Sequence, residues 1–387
     1  MPFVTLAAMA AAQLFVPRPG PGHIPPPAST GTRSLLSWTP ADVRCDQGVA
    51  TGQALRRPLA HMYWGPPPSP NSSPASSSSS ARDPGLRPGV LRFDIDDTGR
   101  PLSIRREGVS APYAPDLAPA LAASRFADGG KRTGCTITYT PRVTPLDQAP
   151  VADLIAYTLS RESGPLPQEG WARTRREGNC DTRPVPQPLL RALPDFRKLP
   201  ATPGVKDWAM VDYEIDAEGQ PRQASVTHGT GNKALDQAAI TAVEQSRFTA
   251  GARTGCRYPY WMAPATIAAP PAPAPGDLAP AGASCARPYP YATAPRLTYP
   301  VAYNRRQIEG WAIVSFDVAP WGDIGNVKVL AAQPAEDFGT HAVQLMRTAR
   351  FQPSAAGRSG CVERVNFVTG PNGTPEPTAP LPPPPEH

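Results

Sequence analysis

Leu91, Phe93 and Ile95 alternate with Arg92, Asp94 and Asp96, and the same alternation returns twice further along the chain. The second copy sets Val211, Tyr213 and Ile215 against Asp212 and Glu214; the third carries Ala312, Val314, Phe316 and Val318 on one face. Successive side chains of a strand point to opposite faces, so this pattern predicts three strands with one buried face each. Every run ends in a glycine turn, at Gly99, Gly219 and Gly322. Apolar residues resume beyond it: Leu102 and Ile104, Ala224 and Val226, Val327 and Val329. Strand, tight turn and strand in that order predict a hairpin in each copy.

The period then changes. Leu235, Ala238, Ala239, Ala242 and Val243 fall on one helical stripe, as do Phe338, Ala342, Leu345, Met346 and Ala349. In the first copy the stripe is Leu117, Ala120, Leu121 and Ser124, and Pro119 keeps that helix short. An Arg-Phe pair follows each stripe, at Arg125-Phe126, Arg247-Phe248 and Arg350-Phe351. Next come Arg132-Thr133-Gly134-Cys135, Arg253-Thr254-Gly255-Cys256 and Arg358-Ser359-Gly360-Cys361, each opening a last strand. The repeated unit predicts an α+β fold of three tandem small two-layer domains, each an antiparallel three-stranded sheet with a packed helix, joined by Pro-rich linkers.

The expected boundaries are a signal peptide over 1–12, a linker over 13–37, and repeat 1 over 38–142 with a Ser/Pro insert at 65–89. A helical linker at 143–175 carries Val151, Leu154, Ile155, Thr158 and Leu159. Repeat 2 follows at 176–263, a Pro/Ala linker at 264–283, repeat 3 at 284–369 and a Pro-rich tail at 370–387. The 54 prolines of the 387 residues concentrate in these joints. The apolar run from Phe3 to Val16 is too short to span a bilayer and offers Ala8-Met9-Ala10 and Ala10-Ala11-Ala12 as cleavage sites, although no Lys or Arg precedes it. It predicts export, and no stable membrane span in the mature chain.

The six cysteines divide as one ahead of each hairpin (Cys45, Cys180, Cys285) and one opening each last strand (Cys135, Cys256, Cys361). The separations in repeats 2 and 3 are equal, and the longer one in repeat 1 is accounted for by its insert. One bridge per repeat, Cys45–Cys135, Cys180–Cys256 and Cys285–Cys361, is the simplest connectivity, with reduced buried thiols as the alternative. Bridges of this kind imply an oxidising compartment. No C-x-x-C and no histidine at ligand spacing supports a zinc site, so no metal or cofactor is expected.

The net charge of +6 is carried largely by dispersed arginine, without basic runs interleaved with aromatics, which argues against a nucleic-acid partner. His23, His61, His228, His341 and His387 form no ligand pair or triad, and Asp94, Asp96 and Asp97 read as the polar face and turn of a strand. Nothing in the chain points to an enzyme.

Repeat 3 resembles the C-terminal domain of the TonB energy-transducer family. The likeness is carried by Tyr299-Pro300, by Arg305-Arg306-Gln307-Ile308-Glu309-Gly310, by the strand Trp311 to Val318, the turn at Gly322, the strand Val327-Lys328-Val329, Ala349-Arg350-Phe351 and Pro353. It extends from Tyr299 to Val368, with repeat 2 keeping the hairpin, helix and Arg-Phe pair and repeat 1 the most divergent. The resemblance implies a periplasmic protein of the Gram-negative envelope. Its partner would be an outer-membrane or periplasmic protein or peptide segment, bound by strand addition and linked to TonB-dependent transport. The implied surface is the last strand of each repeat, best in repeat 3: Val362, Arg364, Val365, Asn366, Phe367 and Val368. The alternatives are a degenerate energy transducer missing its N-terminal anchor and a non-binding envelope scaffold; the oligomeric state is left open.

Overall fold

A computed structural model describes residues 33–65, 86–108, 114–127, 130–285, 290–296 and 298–369. The expected signal peptide 1–12, most of the linker 13–37, most of the insert 65–89 and the tail 370–387 lie outside the described residues.

Repeat 1 comprises β1 (Ser34–Pro40), β2 (Val43–Cys45), β3 (Gly48–Ala50), β4 (Gly52–Ala54), β5 (His61–Tyr63), β6 (Gly89–Ile95), β7 (Pro101–Glu107), α1 (Leu117–Ala122), β8 (Arg125–Phe126) and β9 (Arg132–Pro145). The expected three strands are there as β7-β6-β9, all antiparallel. They are extended to a seven-stranded sheet, because β1 pairs with β9 from Ser34 opposite Pro145 to Pro40 opposite Tyr139, and β2 continues the pairing with Arg44 opposite Thr136. Two expectations change here. Residues 34–37 belong to this strand and not to a linker, and the last strand of repeat 1 is no edge. The physical reason lies in β1 itself: Leu36 and Trp38 enter the main core, while Leu35 enters a second one with Met62, Leu154 and Tyr157. Burying such side chains contributes about 1.5–3 kcal/mol each, enough to hold a strand that a proline-rich context would otherwise leave free.

After β9 come α2 (Val151–Leu159) and α3 (Gln168–Thr174), and then repeat 2: β10 (Pro188–Leu190), β11 (Asp207–Ile215), β12 (Pro221–Gly229), α4 (Lys233–Gln245), β13 (Arg247–Phe248) and β14 (Arg253–Met262). The sheet order is β12-β11-β14. Asn232 caps α4 by accepting the Leu235 N–H at 3.2 Å. Leu235, Ala239, Ala242 and Val243 of α4 pack on Val211, Tyr213 and Ile215. The other face of β11 is covered as well, with Trp208 and Met210 against Ile155 of α2.

Repeat 3 is built from β15 (Tyr291–Thr293), α5 (Val301–Arg305), β16 (Gly310–Val318), β17 (Ile324–Gln333), α6 (Glu336–Thr348), β18 (Arg350–Phe351) and β19 (Arg358–Phe367), with sheet order β17-β16-β19. The connection 264–283 packs on this sheet. Ala269, Ala272 and Leu278 cover Trp311, Ile313 and Val362, and the Trp311 indole N–H donates to the Pro270 carbonyl at 2.8 Å. That cover leaves β16 buried on both faces, where the alternation alone predicts one.

The repeat motifs have a common physical basis. Each Arg-Phe pair is a two-residue strand whose Phe N–H donates to the turn glycine's carbonyl at 2.9 Å: Phe126 to Gly99, Phe248 to Gly219 and Phe351 to Gly322. The three glycines have φ of +74, +84 and +96°, and a Cβ on any of them would strike that Phe carbonyl. The Arg-(Thr/Ser)-Gly-Cys block is a β-bulge. In β9, Thr133 and Gly134 together oppose Asp94, between the pairs Phe93–Cys135 and Ile95–Arg132, and the bulge recurs in β14 and β19. Its glycines lie at φ 62, 72 and 66°. The Asp94 and Asp317 carboxylates accept the Gly134 and Gly360 N–H at 3.1 and 2.9 Å. Disulfides join Cys45 to Cys135, Cys180 to Cys256 and Cys285 to Cys361.

Repeats 1 and 3 share one core, to which both sheets contribute, while repeat 2 has its own. The Ile104 N–H donates to the Pro334 carbonyl at 2.9 Å, and Arg106 pairs with Asp337 at 2.5 Å. Arg306 clamps Asp116 with both ends of its guanidinium.

Candidate functional site

β19 runs antiparallel to β16, with Gly310 opposite Phe367, Ala312 opposite Val365 and Val314 opposite Glu363. Among the described residues no strand lies beyond it, so β19 ends its sheet. Cys361, Val365 and Phe367 face the shared core, and Val362 faces the 264–283 connection. Arg364 is half-buried and Asn366 exposed. Val368 lies just past the strand and is 40% exposed.

Repeat 1 shows which backbone groups of such a strand point outward. Thr138 stands three residues after Cys135, as Arg364 does after Cys361. The Thr138 carbonyl turns away from β6 to accept the Ala41 N–H at 2.8 Å. In an antiparallel strand a residue's N–H and carbonyl share one side. Arg364, and Asn366 two residues on, therefore present their main-chain groups at the outer edge of β19.

Both ends of that edge are held. At its start the Ser284 N–H donates to the Ser359 carbonyl at 3.0 Å, the Ser359 N–H returns to the Ser284 hydroxyl at 2.9 Å, and Cys285–Cys361 staples the segment. At its far end Glu309 accepts the Thr369 N–H at 2.9 Å, and the Tyr299 hydroxyl donates to the Ile308 carbonyl at 2.6 Å while lying 3.4 Å from that of Phe367. Burial, with the Glu309 charge adding to it, holds the Tyr299 hydroxyl well above the usual tyrosine range, so it stays a donor. From Cys361 to Phe367 the register is continuous, and a strand with directed N–H and carbonyl groups can accept another strand. Of the residues expected at this surface, Val365 and Phe367 are core plugs and Val362 is covered, while Asn366 and Val368 keep exposed side chains.

Residues 204–266 and 295–369 match the family model described as Gram-negative bacterial TonB protein C-terminal. The middle and last repeats are thus similar to the TonB C-terminal domain. Repeat 1 lies outside both matched segments. Over 78 residues the chain is 41% identical to Protein TonB of Escherichia coli (strain K12), a stretch covering 20% of this chain and 31% of that protein. It is 38% identical over 76 residues to Protein TonB of Salmonella typhimurium, covering 20% and 30%, and 37% identical over 70 residues to Protein TonB of Klebsiella pneumoniae, covering 18% and 28%. The matches thus span less than a third of these relatives.

The TonB C-terminal-like match includes Tyr299, Glu309 and Gly310, whose positions the geometry explains. A Cβ on Gly310 would meet the Gln333 carbonyl and the Phe338 ring. Among the described residues no group of three or more His, Cys, Asp or Glu is placed to hold a metal ion, and no helix is long and apolar enough to cross a membrane.

Proposed function

We propose that this protein binds an extended segment of an envelope or outer-membrane protein by strand addition to β19, in the periplasm and in connection with TonB-dependent transport. The observation that carries the reading is the edge position of β19, with the main chain of Arg364 and Asn366 aimed outward on a strand anchored at both ends. Strand addition draws its affinity from such main-chain groups and its selectivity from alternate side chains. The TonB C-terminal likeness of this repeat supports it, and the three disulfides support an oxidising compartment.

The test is an NMR titration of the isotope-labelled chain with a synthetic peptide spanning the periplasmic box of an outer-membrane transporter. Saturable shifts are expected on Arg364 to Val368. Arg364→Pro removes an outward N–H and leaves the β16 ladder intact, so it should weaken binding roughly tenfold or more. Equal affinity in that variant, or shifts confined to other surfaces, would remove β19 from the account; no binding at all would favour a scaffold.

A further inference from the structure

The three last strands are built alike, yet they do not present alike edges. In repeat 1 the outer side of β9 is filled by the chain's own β1 and β2, from Pro145 to Thr136. In repeat 2, β14 ends the sheet β12-β11-β14 among the described residues, as β19 ends its own. The sequence along it is Arg257-Tyr258-Pro259-Tyr260-Trp261-Met262. Pro259 is three residues after Cys256, the place of Thr138 in β9 and of Arg364 in β19. It pairs with Met210 of β11, within a register that runs unbroken from Asp207 opposite Met262 to Tyr213 opposite Cys256.

A proline inside a strand is tolerated only where its missing N–H faces away from the ladder. Pro259 meets that condition because the residue at this place points outward. Its ring therefore sits at the middle of the outer edge of β14, where an added strand would need a donor, and prolines there blunt edges. The neighbours of Pro259 do not compensate: the Arg257 guanidinium is turned onto the Thr174 carbonyl at the end of α3, and the Tyr258 ring is covered by Arg191 at 4.5 Å.

Resting on the reading of β19 above, we infer that Pro259 closes repeat 2 to strand addition, and that the chain therefore binds a single segment, at β19 alone. Repeat 1 is closed by its own strand and repeat 2 by Pro259, while in repeat 3 no strand among the described residues lies beside Arg364 and Asn366. Repeats 1 and 2 act as framework. Pro259 is thus a specificity-determining residue that acts by exclusion, and the protein is monovalent despite its three copies.

The inference gives a gain-of-function test. Calorimetric titration of the wild-type chain with the transporter-box peptide should give one peptide per chain. Pro259→Arg, which installs the residue found at this place in β19, should raise the stoichiometry to two, with new amide shifts on Tyr258 to Met262. Pro259→Thr, the residue of β9, serves as a second variant with the same expectation. A stoichiometry of two in the wild type, or of one in both folded variants, overturns the inference while leaving β19 as the site. A wild type that binds no peptide overturns both readings. Arg364→Pro in the Pro259→Arg background should return the count to one, held by repeat 2.

Discussion

Arg306 holds Asp116 with two hydrogen bonds, Nε to Oδ1 at 2.7 Å and Nη2 to Oδ2 at 2.5 Å, and both residues are buried. The first belongs to the turn after α5 in repeat 3 and the second to the entry of α1 in repeat 1, so the pair ties together elements 190 residues apart in sequence. The guanidinium also donates to the Gly204 and Arg57 carbonyls at 3.0 and 2.9 Å, and the Asp116 carboxylate accepts the Leu59 N–H at 2.6 Å. Breaking one side of a buried pair strands the other charge. Asp116→Ala should cost about 3–5 kcal/mol in denaturant unfolding, whereas Asp116→Leu combined with Arg306→Met should recover much of it. Single and double variants of equal stability would show that the pair does not join the repeats.

The turn glycines should be intolerant. At Gly322, with φ of +96°, a methyl group is both strained and aimed at the Phe351 carbonyl. Gly322→Ala should lower stability by about 1–3 kcal/mol. Gly325, where a Cβ would meet nothing within 4 Å, is the control and should accept alanine with little change. Thermal melts of the two variants provide the comparison.

The Cys285–Cys361 bridge closes a loop with a sequence separation of 76 residues. In the chain-entropy model a loop of that length stabilises by up to about 4–5 kcal/mol. Replacing both cysteines by serine should lower the melting temperature and increase exchange at Ser284 and Ser359, whose mutual hydrogen bonds it staples. An unchanged melt would mean that the shared core alone holds the segment.

His61 should give the protein a pH dependence. Burial pushes its imidazole down to about 4, with Asp116 opposing the shift and Arg305 adding to it; Glu162 lies 3.8 Å away. Unfolded, the ring titrates near 6.5. Between those values the unfolded chain binds a proton that the folded chain refuses, so stability falls as pH drops through this window, by up to about 3 kcal/mol. His61→Gln should flatten that segment of the stability–pH curve. A variant curve parallel to the wild type would assign the dependence to other groups.

The hairpins, helices and bulge-forming cysteine blocks were legible in the sequence because each repeat states its own period and its own glycines. Local pattern carries less information about what packs where. β1 reads as linker, since Ser34 to Pro40 shows no clean alternation and its Leu35, Leu36 and Trp38 serve two different cores. The fusion of repeats 1 and 3 rests on a shared core and on contacts such as Arg306 with Asp116, whose members are far apart in sequence. The cover over Trp311 comes from a Pro/Ala stretch whose composition suggests a spacer. Ser103, Gln223 and Asn326, at φ 53, 54 and 51°, mark a second bulge that recurs in all three return strands and is not itself at a glycine. Pro259 was visible within Tyr-Pro-Tyr, and only the register turns it into an edge feature.

Hydrogen exchange at the Arg364 amide tests the strand-addition account most directly. In the free protein this N–H points away from β16 and should exchange fast, while that of Val365 beside it exchanges slowly. With the transporter-box peptide bound, Arg364 and Asn366 should slow by roughly tenfold or more, and Val365 should stay as it was. An Arg364 amide already protected in the free chain, or unprotected in a saturated complex, would contradict the account.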